Sequence, residues 1–143
     1  MCTYLEKFWQ WSKLTPEEYA QNGMRQKNGE FEDSFLLFDE MIAYAYAMID
    51  TSITDLSEID DLLTILALDN EEECVLDYIT EHSSKVQLDR IIARGLFHAQ
   101  PNARWQIAEL LSRRKPEKYL DFLQVLANDE HSVVRQRALH LIN

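Results

Sequence analysis

Apolar residues recur along this chain at helical rather than alternating spacing. Tyr4, Leu5, Phe8 and Trp9 fall one, three and four places apart, the mark of a single buried helix face. Thr15-Pro16-Glu17-Glu18 follows, a capping box with proline at the first helical position. It opens a second helix, which Asn28-Gly29 is expected to stop. From about Asp33 to Asp50 the apolar surface runs nearly all the way round, through Phe35, Leu36, Leu37, Phe38, Met41, Ile42, Tyr44, Tyr46, Met48 and Ile49. That pattern predicts a centrally buried helix. Thr51 to Ser57 reads as a polar connection, with Ser57 capping a helix whose inward positions are Ile59, Leu62, Leu63, Leu66 and Leu68. Asp69-Asn70 ends that helix. The next one, from Glu71, carries Cys74, Val75, Tyr78 and Ile79 and holds Glu71, Glu72 and Glu73 in its first turn, where the helix dipole favours negative charge.

The last third repeats. Shifting residues 89–113 by thirty places onto 119–143 lays Leu96, Gln106, Ala108 and Leu111 on Leu126, Gln136, Ala138 and Leu141. The helix starts repeat as well: Ser84-Lys85-Val86-Gln87 caps one first helix and Pro101 or Asn102 opens its partner, then Pro116 and Ser132 do the same. Asp129 to Leu141, with Val134-Arg135 followed by Ala138 and Leu141, resembles the second helix of a HEAT repeat, in particular the short HEAT-like repeats named after phycobilisome lyases. Arg104-Trp105 stands where Val-Arg belongs in the first copy. The resemblance implies an all-α fold of antiparallel helical hairpins stacked as a short α-solenoid. Asp129 would then cap the last helix and Arg135 would bond across neighbouring loops. The organisation expected is one domain over 1–143, with N-terminal capping helices in 1–50, an acidic helical pair in 51–83 and two HEAT-like hairpins in 84–143. Neighbours must cover both ends of such a stack, a role open to Phe8, Trp9 and Trp11 at one of them.

Composition agrees with helices, since 143 residues hold only three Gly and three Pro and so lack most of the turn chemistry of a β protein. Cys2 and Cys74 form neither a disulfide framework nor a Cys-x-x-Cys pair, and a reducing compartment is expected. Glu6 and Lys7 arrive too early for a secretory apolar region and no apolar run reaches the ~18 residues of a membrane span, so the expectation is a cytoplasmic protein with no membrane partner.

Charge changes the picture most. Between Asn28 and Ser84 there are sixteen Asp or Glu and no Lys or Arg, while the whole chain is −11 from 25 acids and 14 bases. The remainder is therefore positive by 5, from 14 bases against 9 acids. An ordinary helix surface mixes Glu with Lys four residues on, each pair contributing about 0.2–0.5 kcal/mol, and this stretch has no such pair. A segregated field of that kind attracts a basic surface and repels nucleic acid.

Catalytic and metal chemistry find little footing. His82, His98, His131 and His140 make no His-Glu-x-x-His motif, and Gly-x-Ser-x-Gly and the P-loop are absent. Asp55, Glu58, Asp60 and Asp61 lack the spacing and the central glycine of a calcium loop. No catalytic, cofactor or metal residues are assigned. The expectation is a non-enzymatic protein-binding module. By analogy it looks most like a bacterial immunity protein or antitoxin that blocks a basic toxin, for example a nuclease, with anionic groups standing in for phosphates. The candidate contacts are Asp39, Glu40, Asp60, Asp61, Glu71, Glu72, Glu73, Asp77 and Glu81. Trp105 is either an exposed anchor or packing between the two hairpins. A general HEAT-like adaptor is the alternative reading. A nucleic-acid-binding or repair protein is a weaker one, drawing on the 9 bases against 5 acids of residues 90–143.

Overall fold

The helical periodicity is realised as nine α-helices and one 3₁₀ turn among residues 1–24 and 30–143, the residues described by a computed structural model, with no strand among them. In chain order the helices are α1 (Thr3–Ser12), α2 (Pro16–Asn22), α3 (Phe38–Asp50), α4 (Leu56–Leu68), α5 (Cys74–His82), α6 (Lys85–Gly95), α7 (Pro101–Arg114), α8 (Tyr119–Ala127) and α9 (Ser132–Ile142), with the 3₁₀ turn Glu32–Ser34 ahead of α3. The capping box forms as expected, Thr15 Oγ1 accepting from Glu18 N and Glu18 Oε1 from Thr15 N. The second helix nevertheless ends at Asn22, where Gly23 takes a positive φ of 59°. The stop expected at Asn28-Gly29 lies outside the described residues.

The third helix begins at Phe38, five residues after the expected start at Asp33. Phe35 is extended and drops into an aromatic cluster, its ring edge-on to Phe8 at 5.4 Å and tilted against Trp11 at 5.5 Å, while Phe8 also meets Trp9 and Tyr19 edge-on. Leu36 turns outward, 95 % exposed, so the hydrophobic run there is a loop and not a helix face. Nor is α3 buried all round: Met41, Ile42, Ala45, Met48 and Ile49 face inward, Tyr44 and Tyr46 are half-buried, and Ala43 and Ala47 are exposed. The central helix is α4, whose Ile59, Leu62, Leu63, Ile65, Leu66, Ala67 and Leu68 are all buried and which packs against α3, α5, α6 and α7. Its cap is Asp55, two residues before the expected Ser57, accepting from the Ser57 hydroxyl and from the Glu58 and Ser57 amides; those bonds, the hydroxyl's foremost, hold the Asp55 carboxyl below its ordinary pKa.

Residues 84–143 follow three of the four predicted helix starts; the fourth, expected at Pro116, comes at Tyr119, behind Lys118 in a left-handed conformation (φ 65°). Ser84 Oγ accepts from Gln87 N at the start of α6, and Pro101 opens α7. Helix α7 packs against α6, α8 and α9 as well as α4 and α5, and α8 packs on α9. At the α6–α7 crossing Gly95 is required, because a Cβ there would lie 2.5 Å from Ile107 Cγ1. Arg104 is nearly buried and forks onto Asp129, Nε to Oδ2 at 2.8 Å and Nη2 to Oδ1 at 3.1 Å, while its Nη1 donates to the His98 carbonyl at 2.6 Å. Arg135 reaches the Asp129 and Glu130 carbonyls, both at 2.9 Å. Asp129 accepts from His131 N ahead of α9, so it organises the turn, while the residue in the capping position is His131. No helix among the described residues is long and apolar enough to cross a membrane.

Candidate functional site

The sixteen acids do not form one face. One acid of α4 and one of α5 meet arginines from later helices: Asp60 is gripped by Arg94 of α6 through two bonds, at 3.1 and 2.6 Å, and Asp77 by Arg113 of α7 at 2.8 Å. Counter-charge missing locally in the sequence is supplied across helices. Such exposed pairs contribute only about 0–1 kcal/mol each, but they also occupy the carboxylates expected to face a partner. Asp50 accepts from the Tyr78 hydroxyl at 2.8 Å, and Tyr78 stacks on Tyr46 with centroids 4.1 Å apart. Asp61 is half-buried near the chain start; burial pushes its pKa up, opposed by the Met1 amino group. Glu81 sits beside His82, 3.7 Å away, on the exposed side of α5. Glu40 is exposed on the first turn of α3.

Asp39, Glu71 and Glu72 are brought together. With Glu32, Asp33 and Asp69, three acids the sequence reading did not single out, they line a cleft of about 300 Å³ between the start of α3 and the start of α5. Its remaining lining is Phe31, Phe38, Ile42, Ala43, Tyr46, Leu68 and Cys74, and no Lys or Arg is among the described lining residues. The polar members hold defined positions. Glu32, buried, accepts from the Tyr19 hydroxyl at 2.5 Å and from Asn70 Nδ2 at 3.0 Å, which ties α2, the 3₁₀ turn and the α4–α5 loop into one wall. Burial, followed by the Glu32 charge, pushes the Tyr19 hydroxyl pKa far up, so it remains a donor. Asp69 is 3 % exposed and its Oδ2 accepts from Val75 N at 2.8 Å, capping α5 from the preceding loop. Burial raises its pKa to about 6, with Glu72 and Glu73 adding to the rise and the α5 backbone amides opposing it.

This geometry corrects the helix-start account of the three glutamates. Helix α5 begins at Cys74, with Glu73 in a left-handed conformation (φ 58°) at the capping position and Asp69 supplying the carboxylate bond. Glu71 and Glu72 stand before the helix, exposed on the cleft rim. The first turns of α3 and α5 do bring partial positive charge to the cleft, roughly +0.5 each. Against six carboxyl groups that leaves the cleft clearly negative even with Asp69 partly protonated.

Trp105 is 6 % exposed, packed between α7 and α9 with Arg137 over its ring at 4.3 Å and its Nε1 donating to Asn102 Oδ1 at 3.1 Å. The exposed-anchor expectation gives way to packing. Among the described residues no three His, Cys, Asp or Glu side chains are placed to hold a metal ion. The sequence signal for the cleft was the acidic block itself. Its apolar floor was not readable, because Phe38, Ile42 and Tyr46 share the helical spacing of the α3 core positions and only the tertiary placement of α5 and the 3₁₀ turn opens a cleft beside them. Compared with known proteins, the chain matches no family model, no curated protein and no solved structure.

Proposed function

We propose that this chain is a non-enzymatic binding module that engages a basic protein partner through the acid-rimmed cleft between α3 and α5, in the manner of an immunity protein occupying a toxin's anion-binding surface. The observation that carries the reading is the residue set of the cleft: six carboxyl groups around an apolar floor, with no described cation among them. Acids that served only solubility would be paired or dispersed, as Asp60 and Asp77 are. Complementary fields of this kind raise association rates by about 10–10³-fold and fall off with salt.

The competing nucleic-acid reading drew on nine bases, and seven of them, the arginines, are committed within the chain. All seven arginines of residues 90–143 are engaged within the chain: Arg94, Arg104, Arg113 and Arg137 with carboxylates, and Arg90, Arg114 and Arg135 with backbone carbonyls.

For the architecture we retain the reading of residues 84–143 as two HEAT-like hairpins, with one change of register. Arg104 and Arg135 each reach back six residues, to the carbonyls of His98 and Asp129, which favours a repeat of thirty-one over thirty. That register lays buried Ala103 on Val134 and buried Ile107 on Ala138.

Affinity capture from the native host tests the function. The wild-type chain is expected to retain a basic protein at low salt, release it at high salt, and lose it in the Glu71→Gln/Glu72→Gln variant. A partner held equally at high salt and by the variant supports the apolar adaptor instead.

A further inference from the structure

The cleft has two chemistries side by side. Its floor is built from Phe38, Ile42 and Tyr46 of α3, closed by Leu68 below and Phe31 at the edge; its rim is Asp33, Asp39, Glu71 and Glu72, all exposed. A purely ionic partner surface would need no floor, and an apolar ligand would gain nothing from four exposed carboxylates. At about 300 Å³ the cavity lies at the lower end of ligand pockets, about 300–1,000 Å³, a size suited to one or two side chains and too small for a packed helix. Apolar surface is exposed at its edge, where Phe31 is 59 % exposed, and Leu36, two residues before Phe38, is 95 % exposed. The larger groove lined by α6 and α8 offers no such selectivity, since Lys85, Arg114 and Lys118 there stand against Asp89 and Glu117.

We infer that the cleft docks a short extended segment of the protein partner, which places an aromatic or large aliphatic side chain on the Phe38–Ile42–Tyr46 floor and an adjacent lysine or arginine against Asp39 and Glu72. Long basic side chains suit this geometry twice over, because their stems cover apolar surface while the charged head stays at the wet rim. The exposed loop beside the cleft gives a peptide chain something to lie along, which a free amine could not use. The inference rests on the basic-partner reading and narrows it to one recognition element.

The test titrates the isotope-labelled full chain with the peptide acetyl-Gly-Lys-Phe-Arg-Leu-Gly-amide, followed by amide chemical shifts. Two twins accompany it, one with Gln for Lys and Arg, the other with Ser for Phe and Leu, and tyramine serves as the small-amine comparison. Saturable shifts are expected at Ala43, Tyr46, Glu72 and Cys74, with each twin and tyramine at least fivefold weaker. Ala43 is exposed on α3 and lines the cleft, so Ala43→Arg should fill it and abolish peptide binding without lowering the melting temperature. Glu58→Gln and Asp121→Asn, both outside the cleft, should bind as the wild type does. No saturable binding, shifts centred elsewhere, equal binding of either twin, or tyramine matching the peptide overturns the inference. The captured native partner separates the two levels: retention by Ala43→Arg with loss in Glu71→Gln/Glu72→Gln overturns only the docking segment, and retention by both variants overturns the basic-partner reading as well.

Discussion

Asp69 and Arg104 are single residues whose surroundings decide their role. A carboxyl raised to about 6 in the fold, from an ordinary 3.8, binds more protons folded than unfolded between those values. Stability therefore falls as pH rises through roughly 4 to 6, and above that window the ionised, desolvated Asp69 costs up to about 3 kcal/mol. Asp69→Asn keeps an acceptor for the Val75 amide and removes the titration; urea unfolding at pH 4.5 and 7 should show a smaller decline with pH than in the wild type. An unchanged pH profile would contradict the assignment. Arg104 is the opposite case, a charge buried with its partner satisfied: Arg104→Ala strands Asp129 and frees the His98 carbonyl, an expected loss of about 3–5 kcal/mol in unfolding free energy. Its role was hidden in the sequence because a thirty-residue register put Trp105, not Arg104, opposite Arg135.

At the scale of elements, periodicity located nearly every helix and misjudged which was central. The α3 run contains as many apolar residues as α4, but Phe35 to Leu37 belong to a loop and the tyrosines of α3 keep one side toward solvent. In α4 the apolar residues face four neighbouring helices. Number of hydrophobic residues does not distinguish these cases; the partners they meet do, and partners are tertiary information. Caps were legible where side chain and sequence neighbour coincide, as at Thr15 and Ser84, and illegible where the carboxylate comes from an earlier loop, as Asp69 does for α5. Helix crossing is likewise tertiary. Gly95 reads as an ordinary helix end, yet a methyl group there meets Ile107 and, at 3.3 Å, Leu63 Cδ2. Gly95→Ala should destabilise by about 1–3 kcal/mol despite alanine's higher helix propensity, and Ile107→Val in the same chain should recover part of it; thermal melts of the wild type and the two variants check this.

For the whole molecule, the segregated charge of the sequence becomes two different things in space. Part of it is internal complementarity, Arg94 and Arg113 of later helices pairing with Asp60 of α4 and Asp77 of α5. Six more of the sixteen acids gather at the cleft, where mutual repulsion opposes the fold. The sequence disclosed the excess and not its division, because pairs such as Asp60 with Arg94 join residues thirty-four apart. Removing charge from the rim should therefore stabilise the chain by some tenths of a kcal/mol while weakening its partner, a trade seen where selection holds a site for function. The most direct check is a calorimetric titration of the captured partner into wild type and Glu71→Gln/Glu72→Gln across a series of salt concentrations. The account predicts affinity at least tenfold lower for the variant at low salt, with a shallower dependence on salt. Equal affinities and equal slopes would contradict it.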